Sequence, residues 1–171
     1  MNEISLWLDS YDDIYSDFDS RHYLKRRVSE DFLYELRNSL RYKKEKSNDM
    51  VLLLPPERRD EMTEKIIIDS MQDFFREQHR YAGDKCRRKL YSGLWLLITG
   101  VTVMSVNSFI GYRTGRDTFP LTALQVLLEP AGWFLIWAAM DFLFYDYKEL
   151  LKERNFFREL EAITIHFRSS E

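Results

Sequence analysis

With one cysteine, Cys86, the chain has nothing to staple by an intrachain disulfide. That fits a reducing, cytosolic setting for whatever part of it folds in water. Histidine is almost as scarce, and His22, His79 and His166 match no metal-ligand spacing such as HExxH. The few glycines build no phosphate-cradling loop, and no nucleophile elbow is present. Nor is a secretory leader expected, because MNEISLWLDS is acidic where a charged-then-apolar pattern is required. Neither sign of charge prevails: 25 Lys and Arg face 28 Asp and Glu, so no nucleic-acid partner is expected.

What the chain has is length without charge. From Leu90 to Tyr112 (LYSGLWLLITGVTVMSVNSFIGY) no charged residue interrupts the run, and a second apolar stretch covers Phe119–Tyr147. A bilayer core of roughly 30 Å takes about 20 helical residues to cross, and in lipid a lone segment must satisfy its backbone as a helix. A mean hydropathy of −0.42 hides these stretches because the charged ends average them away. The reading is a transmembrane hairpin at 90–147, with spans at about 90–112 and 121–147. Arg76, Arg80, Lys85, Arg87, Arg88 and Lys89 precede it, and Lys148, Lys152, Arg154 and Arg158 follow. The connecting loop holds only Arg113 and Arg116, so both termini are expected in the cytosol.

Residues 1–89 read as a small cytosolic α/β domain. Glu3–Asp9 alternates, with Ile4, Leu6 and Leu8 on one side, as a half-buried strand does. Ser29 is placed to cap a helix, with Glu30 and Asp31 in its first turn and Phe32, Leu33, Leu36 and Leu40 on one face. Val28 and Leu33 are spaced as a hydrophobic staple. Met50–Leu54 reads as a short buried strand stopped by Pro55-Pro56. The next helix should run from about Glu57 past Arg80 on a stripe of Met62, Ile66, Ile67, Met71, Phe74 and Phe75. It should continue into, or nearly into, the first span, with Gly83 as the one break candidate. Residues 148–171 add a helix and an alternating strand, Ala162–Arg168, which needs the N-terminal sheet as its partner. The expected fold is thus α+β, with about three strands and two to three helices in the order β-α-β-α, hairpin, α-β, the hairpin fixed to the domain at both ends.

The segments SLWLDSYDDIYSDFDSRHY, LLLPPERRDEMTEKIIIDSMQDFFREQHR and WFLIWAAMDFLFYDYKELLKERNFFRELEAITIHF, in that order, resemble a family of small uncharacterised bacterial membrane proteins with two transmembrane helices. The resemblance implies the architecture and a bacterial inner-membrane location. It implies no activity and no site residues.

Asp9, Asp12, Asp13, Asp17 and Asp19 form the densest acidic cluster, and carboxylates such as Asp13, Asp17 and Asp19 bind divalent ions. EF-hand spacing is absent, and no apolar strand delivers Asp17-Phe18-Asp19 as a phosphotransferase DxD. The alternative is an acidic loop whose side chains cap turns and pair with Arg21, Lys25, Arg26 and Arg27. Cys86, among basic residues, is either a low-pKa thiol or a passive one. The run Lys85, Arg87, Arg88, Lys89 follows from topology and anionic headgroups.

The spans carry the sharpest pattern. Gly93, Gly100 and Asn107 recur at heptad spacing, with Leu97, Met104 and Gly111 interleaved. Gln125, Gly132, Ala139 and Asp146 do the same, interleaved with Glu129, Ile136 and Leu143. Small residues so spaced let two helices approach closely in lipid, within one hairpin or between subunits. At 1.5 Å per residue, Asn107 lies about 25 Å and Glu129 about 28 Å from the cytosolic ends, so the two should face each other. A carboxyl there is a functional candidate. Alternatively Pro130 starts the second span, 130–147 being about 27 Å long, and Glu129 is interfacial.

Three functions fit these features. The first is a non-enzymatic membrane protein that self-associates and presents a cytosolic docking or assembly domain to a protein partner. The second is a homo-oligomeric pore lined by polar transmembrane residues. The third is a membrane-bound enzyme using a metal ion at the acidic loop. No cofactor is expected.

Overall fold

A computed structural model describes residues 3–16, 26–42, 49–114 and 119–170. Two compact units make up the chain, Met1–Arg80 together with Asn155–Glu171, and Tyr81–Arg154.

The first unit is built on three parallel strands in the order β1 (Glu3–Trp7), β2 (Asp49–Leu54), β3 (Thr164–Ser169). Helix α1 (Glu30–Tyr42) connects β1 to β2. It starts where the sequence puts its cap: the Ser29 hydroxyl accepts the Phe32 N–H at 3.0 Å. Helix α2 begins at Glu61, after a 3-10 turn at Pro56–Arg58, and runs unbroken through Gly83 to Thr114. Its N-cap is Asp60, whose carboxylate accepts the Thr63 N–H at 3.0 Å and is held below the usual carboxylate range by the Thr63 hydroxyl and amide.

Alternation divides the sheet into two faces. Ile4, Met50, Leu52, Leu54 and Ile165 are buried together with Phe32 and Leu36 of α1, Ile67, Met71 and Phe75 of α2, and Phe156, Phe157 and Leu160 of α4 (Tyr147–Glu161). Every helix of this unit therefore packs on one face, as follows when parallel crossovers of one hand step in one direction. The other face runs in three rows: Glu3, Asp49, Thr164; Ser5, Val51, His166; Trp7, Leu53, Arg168. Met62, expected on the core stripe, is 77% exposed; the buried stripe of α2 here is Glu64, Ile67, Met71 and Phe75. Its phase is offset from Met62 by two residues, and the first place on it is taken by a glutamate, which apolar patterning does not count.

The second unit holds the remainder of α2, helix α3 (Phe119–Asp141), a π turn at Phe142–Asp146 and the start of α4. Two helices of the chain are long and apolar enough to cross a membrane. Pro130 lies inside α3, so residues 119–128 belong to the same helix as the rest and are not a separate segment.

Candidate functional site

Along the hairpin four small residues of the heptad stripes face inward. Gly93, Gly100, Gly132 and Ala139 are buried. A Cβ on Gly93 would meet Leu143 Cδ2 at 3.0 Å and one on Gly100 would meet the backbone N of Ile136 at 3.1 Å. One on Gly132 would meet Met104 Cγ at 2.5 Å. At the far end the Gln125 amide lies 3.0 Å from where Gly111 would carry its Cβ. The seam joins α2 to α3 of one chain, which answers a question that the heptad spacing leaves open.

The outward surface is the reverse. Trp95, Phe134 and Trp137 are 70%, 73% and 69% exposed, and Ile98, Val101, Val126 and Leu127 are exposed with them. The hydroxyls on this surface need no outside partner: Thr99, Thr102 and Ser105 donate to the carbonyls of Trp95, Ile98 and Val101 at 2.8, 2.7 and 2.8 Å.

Glu129 does not face Asn107 across the seam. It is exposed, and no hydrogen bond joins the two; Asn107 is half-buried with an Oδ1 that accepts none from a protein group. The glutamate stands about 60° around the helix from Gly132, a flanking position from which a long side chain turns outward. Asp141 is likewise exposed.

At the basic end Lys89 binds Asp146 at 2.7 Å and covers the Phe142 ring at 3.8 Å, which ties α2 to the π turn. Lys85 lies over Tyr81 and Arg87 over Tyr91, while Arg88 is exposed. Cys86 is no activated thiol. It is 2% exposed, and burial pushes its pKa up against the smaller pull of Arg154. Maleimide should therefore leave Cys86 unlabelled in the folded protein and modify it stoichiometrically after denaturation; rapid labelling of native protein would contradict this burial.

The acidic loop follows β1. Asp13 accepts the backbone N–H groups of Asp9 (2.7 Å) and Ser10 (3.0 Å), Asp12 pairs with Arg26, and Asp9 accepts the Trp7 indole N–H at 3.3 Å. Among the described residues no group of three or more His, Cys, Asp or Glu is placed to hold a metal ion. Asp17, Asp19, Arg21, His22, Lys25 and Arg116 lie outside the described residues. His79 instead meets Glu161 at 2.6 Å, and His166 lies 3.6 Å from Asp49.

No family model matches the chain, and neither does any curated protein or solved structure. The reading of function therefore rests on the molecule itself.

One constellation escapes the sequence. Glu64, 7% exposed, is gripped by Arg59 through Nε (2.8 Å) and Nη2 (3.0 Å), while the Tyr11 hydroxyl donates to it at 3.3 Å and accepts the Asp60 N–H at 2.8 Å. Arg59 also donates to Ser169 Oγ at 3.1 Å, so one guanidinium ties α2 to the end of β3. The usable signal was a glutamate in phase with Ile67 and Met71, close behind an Arg-Arg pair. Burial, opposed by the Asp60 amide and reinforced by Glu64, raises the Tyr11 phenol above its ordinary 10.0. Its contribution to stability is then complete below pH 10.0 and is lost as pH rises through the raised value. The gap in Tm between wild type and Tyr11→Phe should stay constant below pH 10.0 and narrow above it; a gap indifferent to alkali would remove Tyr11 from the clasp.

Proposed function

We propose that the protein is an integral membrane protein with two spans and cytosolic termini, which self-associates and presents its α/β unit as a docking or assembly domain without chemistry of its own. The observation that carries this reading is the inversion of the hairpin: Gly93, Gly100, Gly132 and Ala139 inside, Trp95, Phe134, Trp137 and Ile98 outside. Water would penalise that surface, whereas lipid tails match it. Tyr91, Tyr145 and Lys89 near one end and Phe109, Tyr112 and Phe119 near the other supply interfacial anchors. Basic side chains crowd the end that carries Lys85–Lys89 and Lys148–Arg154, in keeping with a cytosolic end. Light scattering in nanodiscs, corrected for lipid, tests self-association; a clean monomer would count against it.

A second reading, a homo-oligomeric pore, draws on Glu129 alone. An exposed carboxyl within an apolar helix is costly in lipid unless it finds water or a partner, and a ring of hairpins would offer one. Against it, Asn107 and Gln125 are turned toward the hairpin's own seam. Liposome flux that Glu129→Ala abolishes would favour the pore; equal flux from both proteins would remove Glu129 from any path. Of the carboxylates that a metal-dependent enzyme would use, Asp13 accepts the Asp9 and Ser10 N–H groups, while Asp17 and Asp19 lie outside the described residues.

A further inference from the structure

On one flank of the seam the hairpin has an open groove of about 660 Å³, lined by Val101, Met104, Ser105, Ser108 and Tyr112 of α2 and Ile136 of α3. From Val101 to Tyr112 it extends along about 16 Å of helix. Glu129 borders it. That residue precedes Ile136 by two turns of α3, and so stands on the same face about 10 Å nearer Phe119. Gly132 faces Met104 and Gly111 faces Gln125, a pairing of the two helices that sets Glu129 level with Asn107 and beside Ser108.

The Glu129 carboxylate is exposed and forms no ion pair among the described residues. Arg113 lies over the Phe109 ring instead, at 5.5 Å. The spans of a second copy bring no cation either, because Glu129 is the only charged residue in 90–112 and 119–140 together. We infer that the groove binds a hydrophobic organic cation, with Glu129 as its counter-ion; the inference rests on the two-span reading and adds a ligand site to it.

The occupant follows from charge and solvent. An unpaired carboxylate is costly in lipid, so its partner must carry positive charge and still leave water readily. A small inorganic ion is held back by its hydration, whereas a cation wrapped in hydrocarbon is not. The body of such a cation rests on Val101, Met104 and Ile136, and the Phe109 and Tyr112 rings at the outer end offer their faces to the charge. An apolar lining with a few polar groups, at this volume, is usual for a small-molecule site. Val101 and Phe109 are 50% and 59% exposed, so the groove opens sideways and fills from the bilayer.

Equilibrium binding of radiolabelled tetraphenylphosphonium to the full chain in phosphatidylcholine nanodiscs tests the site, with empty nanodiscs as the partition background. Saturable binding is expected, and Glu129→Gln should weaken it at least about tenfold by removing one half of a desolvated charge pair. Neutral triphenylphosphine oxide, of similar body, should not distinguish the two proteins. Val101→Trp fills the inner end of the groove, leaves Glu129 in place and should weaken tetraphenylphosphonium binding likewise. Both positions are exposed, so both variants should melt as the parent does. Equal affinity in wild type and Glu129→Gln, or uptake no greater than by empty nanodiscs, would overturn the site and leave the two spans standing. Binding lost in Glu129→Gln but untouched in Val101→Trp would overturn the groove as the place of the cation. A chain that does not assemble into nanodiscs would sink the two-span reading and the site with it.

Discussion

Gly100→Leu should cost the hairpin about 3 kcal/mol or more, the upper part of the range for overpacked interiors. A Cβ at position 100 would sit 2.9 Å from Ile136 Cγ1, 3.1 Å from Leu135 Cβ and 3.1 Å from the Ile136 backbone N. A side chain can rotate away, but a backbone nitrogen moves only with its helix. The larger residue therefore has to push α3 off α2 and forfeit the van der Waals contacts that, in the membrane setting proposed above, hold the helices together without a hydrophobic drive. Gly132→Ala is the milder case: its methyl meets Met104 Cγ at 2.5 Å, and an unbranched thioether chain can swing aside. Val101→Leu, on the exposed surface, should fall within about 0.5 kcal/mol of wild type. Thermal unfolding of the detergent-solubilised protein ranks the three. A Gly100→Leu that melts like Val101→Leu would mean that the seam is not where α2 and α3 meet.

Arg59→Met should destabilise the sheet unit by about 3 kcal/mol, because it leaves a buried carboxylate without its partner. The asymmetry of the pair decides which half matters more. The Arg59 side chain is 28% exposed and that of Glu64 only 9%, so an Arg59 bereft of Glu64 can turn to water while a Glu64 bereft of Arg59 cannot. Glu64→Leu alone should therefore cost less than Arg59→Met. The double variant should recover most of the loss, since a buried pair replaced by apolar groups is often neutral. Thermal melts of the full chain give the cycle; strictly additive losses would show that the two side chains do not act as a pair.

Much of this architecture is legible because it rests on periodicity. The alternation of Ile4, Leu6 and Leu8, the run Met50–Leu54 and the alternation from Ala162 each yield a strand, to within three residues of β1, β2 and β3. The Ser29 cap is local chemistry and holds at 3.0 Å. The glycine heptads pick out residues that are buried against the facing helix, because small side chains at that spacing have few other uses in an apolar segment. What escaped does so for stated reasons. Glu64 is charged at a core position, and only the tertiary arrival of Tyr11 and Arg59 makes that tolerable. The π turn at Phe142–Asp146 has no proline or glycine to announce it and depends on how Leu143 and Asp146 meet Gly93 and Lys89. Glu129 shares the seam's spacing but not its size or polarity, so its side chain goes outward.

Impermeant maleimide labelling of intact cells carrying single-cysteine variants in a Cys86→Ser background tests the central claim most directly. With two spans and cytosolic ends, Asp117→Cys in the connecting loop should label from outside, and Ser170→Cys only after permeabilisation. Protection of both positions until the cells are opened would show that the hairpin does not cross the membrane, and labelling of Ser170→Cys alone would show that its orientation is reversed.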